Sequence, residues 1–315
     1  MTEGEIGLKY IDFEKLYQLE TTPEALEASS RYLADHIKPF LSLLEPVLIC
    51  FPDEGPASIG GVFKRAVEIC GAIAIIWGPD YRWQELLRLA FDSHANTVIA
   101  PPQILLGLMK LARATRTPLY VYDVIACGDP FPRWMVNGMQ LGLDCRVWGC
   151  YAIHSSPVVA GFSCEQGAGI HIREEMFTPV ADCFNETNRK NWGRLYFSYK
   201  RSPELFFDPE VIAIVQHQPC SCGCDSPRVQ EAVSAKAGGA AKEALVDNLL
   251  TWSSVLDFRA TNTENGLKLE LIVFPNEALP ELPSCAQLQV RTWDPERDVP
   301  YFVQAHYLKE SENYC

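Results

Sequence analysis

Short apolar runs alternate with amphipathic segments through the first half of the chain. The runs are V-L-I-C-F at 47–51, A-I-A-I-I-W at 72–77 and T-V-I-A-P-P at 97–102. The segments between them place their apolar residues at helical spacing. Strands of this kind, when joined by helices, pair in parallel through right-handed crossovers and are covered on both faces. The pattern therefore predicts a doubly wound α/β sheet, in which ligands bind beyond the carboxyl ends of the strands.

A helical pattern precedes the first apolar run, at 21–44. A threonine stands directly before Pro23, and apolar residues from Leu26 to Leu44 recur at helical spacing. We expect one amphipathic helix that Pro46 ends.

The hydrophobic pattern of the sequence changes after about residue 176, where short segments with the alternation of β-strands replace the helical segments. The stretch S-A-K-A-G-G-A-A-K, which begins at Ser234, has the small-residue composition of a linker. Beyond it, Asn265-Gly266 is typical of a hairpin turn between two strands. The sequence thus predicts a large domain, a linker and a small α+β domain, at 1–233, 234–244 and 245–315.

Composition excludes several classes of protein. The 315 residues are 48% hydrophobic and 21% charged, which indicates a soluble globular protein rather than a disordered or membrane-embedded one. No apolar run reaches the ~18 residues of a spanning helix, and the acidic start does not resemble a signal peptide, so we expect a cytoplasmic location. A net charge of -13 opposes sequence-independent binding of nucleic acid.

Two cysteine-bearing stretches stand far apart in the sequence. The first offers Cys164 and His171, and the second, Q-P-C-S-C-G-C-D-S-P-R, offers Cys220, Cys222 and Cys224. Thiolate and imidazole are the ligands that tetrahedral Zn²⁺ prefers. In a reducing compartment, three thiols within five residues favour metal binding over disulfides. The alternative is that they are ordinary free thiols packed as small hydrophobic side chains.

The order of these stretches resembles the phenylacetate-CoA ligase branch of the adenylate-forming enzymes. V-I-A-C-G-D-P-F is similar to that family's adenine-binding strand and loop, and W-G-C-Y-A to its aromatic-Gly-x-Thr/Ser-Glu motif. C-E-Q-G-A-G-I-H-I-R-E-E and Q-P-C-S-C-G-C-D are similar to its two cysteine segments. The match runs from about 22 to 274, and it implies a large adenylate-forming-type domain of layered helices and sheets.

The resemblance implies two sets of site residues. It strengthens Cys164, His171, Cys220 and Cys222 as the zinc ligands and leaves Cys224, which stands where the family has Arg, as a spare. His217 is an alternative to His171. For ATP or AMP, the residues implied are Gly128, Asp129, Pro130, Trp148, Gly149 and Asp208.

Several groups that adenylation needs are replaced. No Ser/Thr/Gly-rich phosphate loop precedes the first helix, and Tyr151 and Ala152 stand where the family has Thr/Ser and a Mg²⁺-associated Glu. The ribose-binding Asp has no clean match, Asp208 being the nearest candidate. For the final catalytic lysine only Lys309 is available, in no recognisable motif.

Three hypotheses follow. The first is a degenerate relative that keeps the fold and the zinc, binds a nucleotide or acyl ligand, and works with a protein partner or as a homo-oligomer. The second is an active ATP-dependent ligase for an aromatic or other carboxylic acid, with the missing groups supplied by another subunit or by substitutes such as Asp129. The third, a zinc hydrolase or deaminase, is disfavoured because a Cys3His set is normally closed and structural.

Overall fold

The helices and strands are defined in a computed structural model that describes residues 9–78, 80–128, 131, 133–167, 169–182, 192–234, 248–263, 266–275, 277 and 286–304. The helices with complete bounds are α1 (Phe13–Glu20), α2 (Pro23–Ile37), α3 (Ile59–Ile69), α4 (Trp83–Asp92), α5 (Pro102–Thr115) and α6 (Arg133–Leu143). Among the described residues, no helix is both long and apolar enough to cross a membrane.

Most of the strands belong to one large mixed sheet. The strands are β1 (Lys9–Tyr10), β2 (Pro46–Ile49), β3 (Ile73–Ile76), β4 (Thr97–Ala100), β5 (Asp123–Gly128), β6 (Arg146–Ala152), β7 (Val159–Ser163), β8 (Ile170–Ile172), β9 (Phe177–Asp182), β10 (Gly193–Tyr199), β11 (Ser202–Phe207), β12 (Val211–Gln216), β13 (Arg228–Ser234), β14 (Val255–Thr263), β15 (Gly266–Val273) and β16 (Ala286–Thr292). The large sheet runs β1-β11-β10-β12-β13-β8-β7-β6-β5-β4-β2-β3, with β9 beside β10.

The strands β2 to β6 form the parallel half of this sheet, in the order β3-β2-β4-β5-β6. Successive residues of a strand point to opposite faces. In β2, Val47 and Ile49 therefore pack with α2 and α3, whereas Leu48 packs with α4, α5 and α6. Helices thus cover both faces, which confirms the predicted doubly wound sheet.

The helix before β2 is shorter than the sequence pattern predicts. Thr22 caps α2 by accepting a hydrogen bond from the Ala25 backbone N–H, and Pro23 fills the first turn. α2 ends at Ile37, and a 3-10 turn spans Lys38–Phe40, so the predicted continuation to Leu44 is wrong. The reason is Pro39, which provides no backbone N–H to continue the hydrogen bonds of the α-helix.

The second half of the large sheet is mainly antiparallel. β6 pairs in parallel with β5 on one side and antiparallel with β7 on the other, and the ladder then continues through β8, β13 and β12 to β10. Its core is aromatic and aliphatic, and includes Tyr151, Ile172, Phe177 and Phe197. This half carries both cysteine-bearing stretches.

A separate three-stranded sheet, β14-β15-β16, forms the C-terminal part of the described chain. One face packs with Leu249 in a helical segment at 248–251, while the other adds Leu256 and Ile272 to the core that contains α4 and α5. The prediction of a small α+β unit beside the large domain is confirmed.

The exact domain limits stay a prediction. Of the predicted linker, 235–244 lies outside the described residues, and Ser234 is the last residue of β13. The antiparallel pairing of β14 with β15 includes Thr263 and Gly266, but Asn265 also lies outside the described residues.

Lys110 joins α5 to the C-terminal sheet. Its side chain is buried, and Nζ donates to the backbone carbonyls of Val255 at 2.8 Å and Leu249 at 3.4 Å. Burial lowers the pKa of Lys110 to about 8, and the nearby carboxylate of Asp257 only partly offsets this. The folded protein therefore releases the Lys110 proton at lower pH than the unfolded chain does.

We predict that the stability advantage of the wild type over Lys110→Met grows between pH 7 and pH 10. In the window between a folded pKa of about 8 and the unfolded value of 10.5, the unfolded chain binds more protons, so the free energy of unfolding rises with pH. The expected gain is about 2 to 3 kcal/mol, measured by urea denaturation across the pH series. The exposed Lys200, replaced by Met, serves as the control. A constant difference for Lys110→Met would contradict the prediction.

Candidate metal centre and ligand cavity

Four side chains from three segments converge at one point in the antiparallel half. Cys164 follows β7, His171 is the central residue of β8, and Cys220 and Cys222 lie in the turn between β12 and β13. Their four ligand atoms all lie within 4.8 Å of one another. These are the four residues that the sequence predicts as zinc ligands.

The distances within the group are those of a small coordination sphere. Cys164 Sγ lies 3.7 Å from Cys220 Sγ, and Cys222 Sγ lies 3.5 Å from His171 Nε2. A tetrahedral Zn²⁺ with Zn–S near 2.3 Å and Zn–N near 2.05 Å would hold two sulfurs about 3.8 Å apart and sulfur and nitrogen about 3.6 Å apart. The side chains present therefore fit Zn²⁺ in both donor type and spacing.

Backbone pairing explains why residues so distant in sequence meet. β7 and β8 are antiparallel neighbours, so Cys164 lies at the end of the strand that flanks His171. β8 in turn pairs with β13, where Arg228 is opposite His171, which places the turn before β13 at the same spot. Within that turn the Cys220 N–H donates to the Cys224 carbonyl at 3.0 Å.

The surroundings favour neutral imidazole at His171 and thiolate at Cys220, whereas burial raises the pKa of Cys222 to about 11. Burial lowers the pKa of His171, the positive charge of Arg228 acts in the same direction, and hydrogen bonding to the Ser226 backbone opposes them. The backbone N–H of Cys222 lowers the pKa of Cys220 to about 7. Neutral imidazole and thiolate are the forms of these residues that bind metal.

Cys224 and His217 do not join the four ligand atoms. Cys224 Sγ instead lies 3.1 Å from the hydroxyl of Ser226, and His217 is exposed. Within the described part of the chain, the group of four is the one cluster of His, Cys, Asp and Glu with the spacing of a metal site.

The residues predicted to bind a nucleotide lie on several elements. Gly128 ends β5 with φ +147°, Gly149 lies within β6, and Asp208 follows β11, where it forms an ion pair with Arg194 at 2.7 Å. Asp129 and Pro130 lie outside the described residues.

Trp148 has its polar and aromatic contacts inside the protein. Its indole N–H donates to Asp123 Oδ1 at 2.8 Å, and its ring stacks on Phe40 with centroids 4.7 Å apart. With 7% of its surface exposed, the side chain belongs to the core between the sheet and α2.

The two positions at which the family resemblance leads us to expect Thr/Ser and Glu are fully enclosed. Tyr151 and Ala152 are both 0% exposed, and Tyr151 packs on Phe197 in the core of the antiparallel half. A side chain at either position is therefore directed by packing rather than by a ligand.

A cavity of about 360 Å³ shares a wall with the candidate metal centre. Of the described residues that the sequence predicts to bind a nucleotide, Gly149 lines this cavity, whereas Gly128, Trp148 and Asp208 do not. The loop that follows Cys164 forms one side, residues flanking His171 and Arg228 form the floor, and α6 forms the other side. The lining includes Arg133, Val136, Asn137, Gln140, Val147, Gly149, Ser163, Glu165, Gln166, Gly167, Gly169, Ile170, Val229, Gln230 and Glu231. The sequence does contain one signal for this cavity, a polar stripe on α6, because Arg133, Asn137 and Gln140 recur at helical spacing.

Comparison with known proteins finds solved structures that are similar to this chain, but no family model and no curated sequence that matches it. Among solved structures, 2-hydroxyisobutyryl-CoA ligase in complex with R3-HIB-AMP is similar at a TM-score of 0.59 and 13% identity, over 80% of this chain and 59% of the ligase. An open form of the ligase, bound to 2-HIB-AMP and CoA, gives a TM-score of 0.57 and 11% identity, over 84% and 69%.

A benzoate-CoA ligase from Burkholderia xenovorans LB400 is also similar, at a TM-score of 0.51 and 13% identity, over 81% of this chain and 56% of the ligase. The chain therefore spans less than two thirds of the first and third of these ligase chains. At such identities the likeness shows the fold, which is that of the adenylate-forming enzymes.

We predict that Gly161→Ala weakens both the fold and the metal centre. A Cβ at Gly161 in β7 would lie 2.2 Å from the backbone oxygen of His171, so β8 would have to move. We expect the free energy of unfolding to fall by about 1 to 3 kcal/mol, as in other overpacked sites, with weaker metal binding. Gly138→Ala in α6 is the matched control, because the nearest atom to its Cβ is 3.9 Å away. Equal melting temperatures for the two variants would contradict the prediction.

Proposed function

We propose that the protein is a binding protein built on the adenylate-forming fold, with one structural Zn²⁺ beside a cavity for a nucleotide-like or acyl-adenylate ligand. The observation that carries the proposal is the shared wall, since the loop from Cys164 to Gly169 contributes to both the metal group and the cavity. The metal would thus hold in place the backbone that shapes the cavity.

A structural role for the metal follows from the donor set. Three cysteines and one histidine complete a tetrahedron and leave no position for a substrate, unlike catalytic zinc sites, which keep an open position. When bound, the metal supplies a cross-link between the β7–β8 hairpin and the turn before β13. Because the ligand residues are separated by up to 58 positions in sequence, from Cys164 to Cys222, closing this loop stabilises the folded chain.

The cavity favours a ligand with an anionic end and hydroxyl groups. Arg133 lies at the first turn of α6, where helix amide groups and the guanidinium both attract a phosphate or carboxylate. Across the cavity, Glu165 and Glu231 provide acceptors for hydroxyl groups such as those of a ribose. A volume of about 360 Å³ is within the usual range of small-molecule sites.

The enclosed motif positions argue against adenylation by this chain alone. Where the family has a Mg²⁺-associated Glu, Ala152 offers no ligand, and its neighbour Tyr151 is packed in the core. Losing one such electrostatic contact costs about 3 to 4 kcal/mol of transition-state stabilisation. Adenylation would then need a carboxylate from another polypeptide, so we propose that any turnover requires a protein partner.

We predict that the purified protein holds one Zn²⁺ per chain. Cys164→Ser and Cys222→Ser should each lower the metal content and the melting temperature, because each removes one corner of the tetrahedron. The matched control is Cys70→Ser, since Cys70 is half-buried like Cys164 but remote from the metal group. Metal content is measured by mass spectrometry, and zinc retention by both variants would refute the centre.

We predict that AMP binds while ATP-pyrophosphate exchange stays at background with benzoate, phenylacetate and 2-hydroxyisobutyrate. Arg133→Ala should weaken AMP binding about tenfold or more in calorimetry, because a hydrogen bond to a charged group contributes about 1.5 to 3 kcal/mol. Arg113→Ala, on the far end of α5, should bind AMP like the wild type. Exchange well above background by the chain alone would overturn the proposal in favour of an active ligase.

A further inference from the structure

Ser226 lies directly behind the metal group, in contact with a predicted ligand and with the spare cysteine. Its side chain is buried, with 8% of its surface exposed. Its hydroxyl oxygen lies 2.9 Å from His171 Nδ1 and 3.1 Å from Cys224 Sγ. The three groups form a chain, His171 to Ser226 to Cys224, that points away from the metal position.

The hydrogen-bonding capacity of each group sets the direction of this chain. A neutral imidazole carries one N–H, and its other nitrogen provides the lone pair that a metal requires. Because Nε2 is the atom that faces the other ligand sulfurs, the N–H belongs on Nδ1. The Ser226 hydroxyl then accepts from Nδ1–H, and its own proton is available to the sulfur of Cys224.

The fold places Ser226 opposite His171 through the backbone. The Ile172 N–H donates to the carbonyl of Pro227 at 2.8 Å, and Arg228 is the strand partner of His171. The turn that precedes these residues is closed by the Cys220 N–H to the Cys224 carbonyl. The serine is therefore fixed by the same strand pairing that brings the ligands together.

We propose that Ser226 is a positioning residue of the metal centre, which selects the tautomer of His171, and that Cys224 is its outer hydrogen-bond partner rather than a metal ligand. The inference rests on the proposed zinc centre. The inference assigns a role to Cys224, whose sulfur does not belong to the group of four ligand atoms. Partners of this kind behind a metal-bound histidine typically change metal affinity by about 10- to 100-fold.

The test compares metal binding by the full chain carrying Ser226→Ala, Ser226→Thr or Cys224→Ala. Zn²⁺ affinity is measured by chelator competition, and the ligand field by the visible spectrum of the Co²⁺-substituted protein. We expect Ser226→Ala to bind Zn²⁺ about tenfold more weakly, at the low end of the range because the Ser226 backbone also faces His171. Ser226→Thr, which keeps the hydroxyl, should restore the affinity.

Cys224→Ala should keep the full thiolate-to-cobalt charge-transfer intensity, because it removes no ligand, and should weaken metal binding less than Ser226→Ala does. The matched control is Ser156→Ala, since Ser156 is also 8% exposed and accepts one hydrogen bond, from the Val158 N–H, outside the metal group. Its metal affinity should equal that of the wild type.

Three outcomes would overturn the inference. Equal Zn²⁺ affinity of Ser226→Ala and the wild type would remove the positioning role, and lost charge-transfer intensity in Cys224→Ala would make Cys224 a ligand. Weaker binding in Ser156→Ala, equal to that in Ser226→Ala, would make the effect one of general stability. A wild type that binds neither metal would instead refute the zinc centre itself, and the two failures are therefore distinguishable.

Discussion

The antiparallel pairing of β7 with β6 holds the two halves of the large sheet together. β6 hydrogen-bonds in parallel to β5 on one side and antiparallel to β7 on the other, so this strand joins the parallel half of the sheet to the antiparallel half. The β7–β8 hairpin, the ladder to β13 and the turn before β13 are joined to the parallel half of the sheet through this pairing.

The candidate metal centre and the cavity lie just beyond this junction, where only a few backbone hydrogen bonds connect the strands. β8 contributes three residues and pairs with two residues of β13. A metal bound to side chains on both sides of this short contact would add a restraint at a weak point of the ladder. The proposed hydrogen bonds behind His171 extend the same restraint to the residues that lead into β13.

Periodicity predicted much of the fold, because local patterns determine the parallel half. Alternating apolar runs and amphipathic segments predicted β2, β3 and β4 and the helices between them. The mistake at the end of α2 came from expecting Pro46, rather than Pro39, to end the helix. The convergence of Cys164 with Cys220 was beyond local reasoning, since it depends on strand pairing across 56 residues. The ligand chemistry of the two cysteine-bearing stretches suggested a shared site, and the resemblance to a family strengthened this choice of ligands.

Sequence reasoning could not foresee what surrounds a side chain. It considered Trp148 as an aromatic surface for adenine, but a sequence does not reveal that Phe40 and Asp123 already contact this indole. It also did not predict the cavity along α6, because the lining comes from four separate stretches of the chain. Such features depend on tertiary packing, which periodicity does not encode.

The long separation of the ligands has a consequence for the synthesis of the protein. All five strands of the parallel half precede Ile153, so that half is complete on the ribosome before the second pair of thiols has been made. At about 5 to 20 residues per second, the 56 residues between Cys164 and Cys220 take about 3 to 11 seconds to translate. During that interval the nascent chain carries Cys164 and His171 without Cys220 and Cys222, so the proposed metal could be bound by all four side chains only after the turn before β13 has been synthesised.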